Sequence, residues 1–582
     1  MENYSCFKVE VKKIQHNTPG GQQYPRTAIL SFYNDVNELV STVEKGYPST
    51  EDIYDKIENG EAINLDDCYI KNFSITAYRK IKIIDKKEAV VLHDFSARNA
   101  FFDSNYIIDF SKALFKGEAC DFENTHFLEG KVNFDHACFQ VQQKVSFSQC
   151  FFREGNVSFA NALFENGHVD FKNSVFNNGI KDFQYTKFGK GYIDFTNVLF
   201  HDGEVSFINT NFDEGDITFK AAVFGESKID FRFAKFKKGE KNFERVEFGN
   251  GRKDFRAVEF NQGRLSFSRA NFGNGDVIFE GIEVLEGRVN FKKANFGKGL
   301  LNFELAECKE ARFIFDRTHF GEGNISFLNA KFNEISMKYC HFDHYLDLRV
   351  AKCESIDLSY TIVRDIIDIK PYDLEVIIES MKFTGMRLIG RLYIDWKENK
   401  VNALIKRQED TSEREKAEQY RILKENFNVT GQYDDEDQAY IEFKRHEAKA
   451  NLKEDKNKGW HYAILAYMNY GFRQLVFDHA GLYATSPLRV LFSMLVSYTF
   501  FSILFVLLSF SKSSAIVSSL GDPDKLSLVV KSFYHSIITF LTIGYGDYYP
   551  SGIIRWISGF EGFLGLFLMS YFTVAFVRKI LR

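Results

Sequence analysis

The chain has no CxxC pair, only 7 prolines and 3 tryptophans, and a net charge of just -5 over 582 residues. Each shortage excludes something. The eight cysteines are scattered from Cys6 to Cys353 without metal-ligand spacing, which excludes a disulfide framework or a thiolate metal site and fits free thiols in a reducing cytosol. The small net charge argues against a nucleic-acid binder and against an acidic DNA mimic. The first thirty residues contain Lys12 and Lys13 and no apolar run, so no secretory signal is expected, and this portion is expected to stay in the cytoplasm. No four arginines are spaced by three, no Gly-x-Gly-x-x-Gly opens a helix after a strand, and there is no EF-hand loop, catalytic triad, zinc motif or phosphate-binding loop. A voltage sensor of the usual kind, a Rossmann nucleotide domain, an enzyme and an organic cofactor are therefore not expected.

The length implies several domains, and with 26% charged residues any membrane segment must be a local feature. What the chain has in excess is phenylalanine, 63 residues. From about residue 110 to 332 they recur every 12 positions, in one series through Phe159, Phe171, Phe183 and Phe195 and a second through Phe164, Phe176, Phe188 and Phe200. Glycine follows the second series three positions later, as at Gly167, Gly179 and Gly191. Such a register points to a solenoid of short strands whose Phe ladder holds the core. The positions two before each Phe face inward and are often small or apolar, whereas the charged positions Lys237, Lys238, Glu240 and Lys241 read as a solvated face. Val284 and Cys308, standing where Phe is expected, read as variations in core packing.

The triplets Ala270-Asn271-Phe272 and Ala294-Asn295-Phe296 resemble the kernel of the pentapeptide-repeat family, which implies a right-handed, four-sided β-helix. The Phe spacing alternates five and seven. It fits a coil of 24 residues with a glycine turn at every second corner; a two-sided coil of 12 is the crowded alternative. A strand-rich cap is expected over residues 1–90 and the β-helix over 91–400. A helical hairpin follows over 401–457, with Ser412-Glu-Arg-Glu415 as a capping box, Tyr420, Leu423 and Phe427 on one face, and a stop at Gly431. The hairpin reads either as a spacer or as a partner-binding element. Residues 458–487 read as an amphipathic segment at the inner membrane surface.

The pore domain is expected over 488–582. Leu488–Phe510 and Ile553–Val577 are apolar and long enough to span a bilayer core of ~30 Å. Arg473, Arg489, Arg578, Lys579 and Arg582 flank both spans on one side, so both termini are expected in the cytoplasm of a multi-pass protein of the cell membrane. Between the spans, a short apolar helix leads into Thr542-Ile543-Gly544-Tyr545-Gly546-Asp547, which resembles the signature of two-transmembrane potassium channels. The resemblance implies four subunits, with potassium ions held by carbonyls of Thr542, Ile543, Gly544 and Tyr545 and the Thr542 hydroxyl, and with Gly544 and Gly546 giving the backbone its required angles. Asp547, His535 and Glu561 are candidate supports of this filter, His535 through Tyr545. Tyr534 and His535 stand where the family often has paired tryptophans. Gly562 and Gly565 are candidate hinges or close-packing residues, and Tyr571 and Val574 are candidates for the inner pore and its gate. The sequence thus reads as a potassium-selective homotetrameric channel in a lipid bilayer, gated or localised by its β-helix through an unknown cytoplasmic ligand or protein. A membrane-anchored scaffold and a nonselective cation channel are the alternatives.

Overall fold

The computed structural model describes residues 4–85, 88–165, 167–511, 513–519 and 526–581; Arg582, one of the flanking cations, lies outside the described residues. The chain divides into two compact units between Gln408 and Glu409.

The first unit is a β-solenoid. Its short strands pair in parallel with strands one coil further on, Phe164 with Phe188 and Val169 with Ile193. A coil is therefore 24 residues long, and the 12-residue alternative is excluded. One sheet stacks 13 strands, from Ile107–Asp109 to Arg391–Tyr393. Phenylalanine suits this geometry because rings one coil apart lie at nearly the strand spacing. Phe171 and Phe195 stack with centroids 4.7 Å apart and planes at 3°, while Phe159 meets Phe171 edge-on at 5.6 Å and 90°. These are the two arrangements that a ring quadrupole favours. Val284 and Cys308 are buried in the same core.

Two kinds of corner turn the chain. The glycine corners are set by coil stacking: a Cβ on Gly191 would lie 1.6 Å from the carbonyl oxygen of Gly167, and one on Gly249 1.4 Å from that of Gly225. At the other corners the residue two after a Phe is left-handed, as at Asn161, Asn173, Asn197 and Asn209 (φ 54 to 59°), and the next amide bonds back to the Phe carbonyl, Ala162 N to Phe159 O at 2.9 Å. Asparagine tolerates that position in such a turn.

Lys241 corrects the expectation of a solvated face. Together with Lys181 and Lys253 it occupies an inner position filled by Val or Ile in other coils, and all three are at most 2% exposed. Its alkyl stem replaces the aliphatic side chain, and its Nζ donates to the carbonyls of Gly239 and Gln262, both at 2.7 Å. Burial pushes the three ammonium groups down to about 8.

The loss of register after Phe332 is a shortening of the coil. Ile325 pairs with Leu346 and Leu346 with Ile367, in steps of 21 residues. At the N-terminal end an antiparallel sheet of Cys6–Lys12, Thr27–Tyr33 and Leu39–Gly46 packs Ala28, Leu30 and Phe32 against Tyr69, Phe101 and Leu128, forming the cap. Two helices unforeseen from the sequence, α1 (Thr50–Asn59) and α2 (Ile75–Lys82), lie here. Strands at 62–64 and 69–71 already join solenoid sheets, so the solenoid begins inside the segment expected as cap. Helix α3 (Val401–Lys406), expected in the hairpin, instead packs on the strand Ile378–Lys382 of the solenoid.

The second unit is helical: α4 (Glu413–Val429), α5 (Tyr433–Lys456), α6 (Trp460–Phe472), a π-helical turn Arg473–His479, α7 (Pro487–Leu508), α8 (Leu528–Phe540) and α9 (Ile554–Ile580). The Ser412 box opens α4 as its sequence requires, with Ser412 N donating to Glu415 Oε2 at 2.8 Å and Glu415 N to Ser412 Oγ at 3.3 Å. Gly431 turns the chain at φ 73°. Tyr420, Leu423 and Phe427 are fully buried against α5. Among the described residues, α7 and α9 are the two helices long and apolar enough to cross a membrane. Helix α6 leaves Trp460, Tyr462, Leu465 and Met468 more than half exposed.

Candidate ion pore

Helix α8 lies against both α7 and α9 and is fixed by polar rungs rather than by apolar contact alone. The Ser536 hydroxyl donates to Glu561 Oε1 at 2.5 Å and also lies 3.3 Å from the Tyr498 carbonyl on α7. One residue earlier, His535 Nε2 and Ser558 Oγ are 2.9 Å apart. Ser558 and Glu561, three residues apart on α9, thus present one face to two successive residues of α8. Glu561 is fully buried, as an ionisable group in a membrane helix must be if it is to avoid lipid. At the lower end of α8, Gly565 lets the helices touch: a Cβ there would lie 1.9 Å from the Phe540 carbonyl oxygen. Gly562 has only ordinary contacts, with Thr539 atoms 3.6 and 3.8 Å away. Helix α9 runs unbroken through both, so Gly565 serves packing and not a hinge in this conformation.

The segment 542–547 leaves the C-terminus of α8 with its first amides still bonded to the helix, Thr542 N to Thr539 O at 3.0 Å and Ile543 N to Ile538 O at 2.8 Å. Its backbone then alternates hand. Thr542, Gly544 and Gly546 have φ of 55, 63 and 77°, while Ile543 and Tyr545 do not take positive φ. A chain that reverses hand at every residue turns successive carbonyls to one side and successive amides to the other, the geometry by which unpaired backbone groups bind ions. A Cβ at Gly544 or Gly546 would meet nothing within 4 Å in this chain, where the positive φ is what calls for glycine.

The exit from this segment is anchored by Tyr534, whose hydroxyl donates to Asp547 Oδ2 at 2.8 Å, while the Asp547 carbonyl accepts from Ser519 N at 2.9 Å. The His535 imidazole lies against α9, with its Nε2 2.9 Å from Ser558 Oγ. Tyr534, one residue earlier, reaches the segment at Asp547 instead. Tyr534, Ser536 and Ser558 were missed as site residues, though Tyr534 stands where the family's aromatic pair gives a signal.

At the other end of α9, Tyr571 is buried, which corrects its expected place on the pore lining. Its hydroxyl accepts from Ala484 N at 2.9 Å and donates to Phe477 O at 3.0 Å. The elbow it holds, Leu482-Tyr483-Ala484, has three consecutive left-handed residues (φ 49, 56 and 64°). Val574 is more than half exposed. Helix α5 braces both ends of this arrangement. Arg445 holds Asp478 with two bonds, of 2.9 and 2.8 Å, and Arg578 reaches Asp437 at 2.8 Å with its guanidinium 4.6 Å from the Tyr440 ring centroid. Lys579 lies 3.0 Å from both Asp434 and Asp437. Two hydrogen bonds to Asp478 and one to Glu442 hold the Arg445 charge firmly, raising its pKa above the ordinary arginine range.

No curated protein and no solved structure matches the chain. Residues 493–582, which carry most of α7 and all of α8, the alternating segment and α9, match the family model described as "Ion channel", so this C-terminal part of the chain is an ion-channel domain fused to a β-solenoid.

Proposed function

We propose that the chain is the subunit of a homotetrameric, potassium-selective channel rather than an enzyme, with both termini in the cytoplasm and no organic cofactor. The observation that carries this reading is the Thr-Ile-Gly-Tyr-Gly-Asp segment with alternating backbone hand, suspended from α8 between two membrane-length helices. One such strand supplies a single line of carbonyls, and four around an axis supply enough to replace the hydration shell of potassium. Tyr534, through Asp547, and the rungs from α8 to Ser558 and Glu561 hold the strand in position. The solenoid acts on the pore through α5, which grips both the elbow before α7 and the cytoplasmic end of α9, and a cytoplasmic ligand or protein on the solenoid supplies the stimulus.

The test is ion flux from liposomes containing the full chain. Potassium flux that sodium does not support, lost in Gly544→Ala, is the expected result. Equal sodium and potassium flux assigns a nonselective cation channel, and wild-type flux in Gly544→Ala removes the filter from the segment 542–547.

A further inference from the structure

We propose that one face of the solenoid is a docking surface for the anionic phosphate plane of a lipid bilayer. The inference goes beyond the pore and rests on it in one respect: the channel domain keeps the chain at a membrane.

Arg264, Arg288 and Arg312 stand directly opposite one another in three successive coils. Like charges at opposed positions of neighbouring strands, about 4.8 Å apart, repel one another. Five residues further along each coil, Arg269, Lys293 and Arg317 form a second column at a corner, with Lys292 beside it and Arg245 one coil earlier. All these side chains are exposed. Their corners are left-handed, with φ of 58, 60 and 58°. Glycine or asparagine is less costly there, and asparagine does occupy the same column at Asn173 and Asn197.

Some cations elsewhere on the solenoid are answered from the neighbouring coil, Lys228 by Glu204 at 3.0 Å, Lys235 by Glu259 at 2.7 Å and Lys237 by Asp213 at 2.6 Å. On this face Arg312 meets Glu334 at 3.2 Å and Arg317 lies over the Tyr339 ring at 5.3 Å. Arg264, Arg269, Arg288 and Lys293 have no ion pair among the described residues. The nearest carboxylate in the corner column, Asp316, is engaged by Ser336 Oγ at 2.6 Å and Lys338 N at 3.2 Å. Glu286 and Glu310, two residues before Arg288 and Arg312 on the same strands, are exposed beside the arginine column, and no ion pair joins them to it among the described residues.

No large apolar side chain is exposed in the segments 264–269, 288–293 and 312–317. The face therefore lacks the apolar centre of a protein interface and offers a grid of unanswered cations. A plane of mobile phosphate headgroups can fit that grid, and its potential is worth about fivefold in affinity for each cation held near it.

The test uses the full chain reconstituted in vesicles of phosphatidylcholine, alone or mixed with phosphatidylglycerol, and phenylglyoxal modification of arginines read by mass spectrometry. Retention through a carbonate wash in both vesicle types reports the anchoring by the pore domain separately. Modification of Arg264, Arg269 and Arg288 is expected to slow about fivefold or more in the anionic vesicles alone. Salt that shortens the Debye length to ~3 Å abolishes that protection. Arg232, which pairs with Asp230 elsewhere on the solenoid, keeps its rate. In Arg288→Gln/Lys292→Gln, protection of Arg264 and Arg269 weakens. Equal modification in the two vesicle types overturns the proposal. Equal protection in both overturns it in favour of cover by a second copy or another protein. Protection in neutral vesicles by added inositol hexaphosphate assigns the face to soluble phosphate and also overturns it.

Discussion

The brace between α5 and the end of α9 can be broken at one atom pair. Asp437 is 4% exposed and its carboxylate receives Arg578 at 2.8 Å and Lys579 at 3.0 Å. The Lys579 contact to Asp434 is solvent-screened, Asp434 having a side chain 95% exposed, and is worth about 0–1 kcal/mol. The Arg578–Asp437 pair, with side chains 21% and 6% exposed, is screened much less, and removing one partner of such a pair costs about 3–5 kcal/mol when burial is complete. Allowing for the partial exposure of Arg578, Asp437→Asn and Arg578→Gln should each weaken the attachment by about 2 kcal/mol, a shift of roughly thirtyfold in the bound fraction. Hydrogen exchange of the full chain in lipid should show faster exchange in both α5 and the last two turns of α9. Potassium flux should change in the same direction in both variants. The double variant should be no worse than either single one, giving a coupling energy above about 1 kcal/mol, and the exchanged pair Asp437→Arg/Arg578→Asp should recover part of the wild-type behaviour. Additive effects in exchange and in flux, with no recovery in the exchanged pair, would refute the argument that α5 holds α9 through this contact.

Tyr571→Phe removes both hydrogen bonds to the elbow; each is worth about 1 kcal/mol net, and exchange at 482–485 should accelerate while the filter segment is unaffected. Gly191→Ala drives a methyl group into the Gly167 carbonyl and should lower the solenoid's melting temperature, whereas Ala162→Gly, in the core and free of such a clash, should cost about 1 kcal/mol. The buried lysines give a pH signature of defined sign. Their pKa values of about 8 lie below the ordinary lysine value of 10.5, so between these limits the unfolded chain keeps protons that the folded one has released. Solenoid stability should therefore rise with pH from 8 to 10.5 and fall as pH drops back through 8. Replacing Lys241 and Lys253 by Met should flatten that slope in thermal melts of the full chain, and an unchanged slope would mean that the carbonyls around Nζ offset the cost of burial.

The solenoid was legible because one side chain repeats: a Phe every 12 positions leaves little choice of register, and the coil of 24 followed from the room that two rings need. The asparagine corners were equally regular but went unread, because each is marked by a single polar residue that is replaced by Tyr185, Phe233 or Leu305 in other coils. Lys241 defeated the reading because charge was taken as exposure, and only neighbouring coils supply the carbonyls that permit its burial. In the pore, the backbone of 542–546 was legible from Gly544 and Gly546. The partners of His535, Ser536 and Tyr571 were not, since each lies 23 or more residues away on another element and depends on how the helices are rotated.

The stacking of Gly167 under Gly191 and Gly191 under Gly215 makes the solenoid a ruler graduated in whole coils. Its 13-stranded sheet is about 58 Å long at the usual strand spacing. A duplication or loss of 24 residues would keep every Phe over a Phe and every glycine over a glycine and change the length by one graduation, about 4.8 Å. A change of 12 would keep the Phe period yet set each coil half a turn out, bringing strands from opposite faces into one column. The reach of this domain can therefore be altered in steps without a new core.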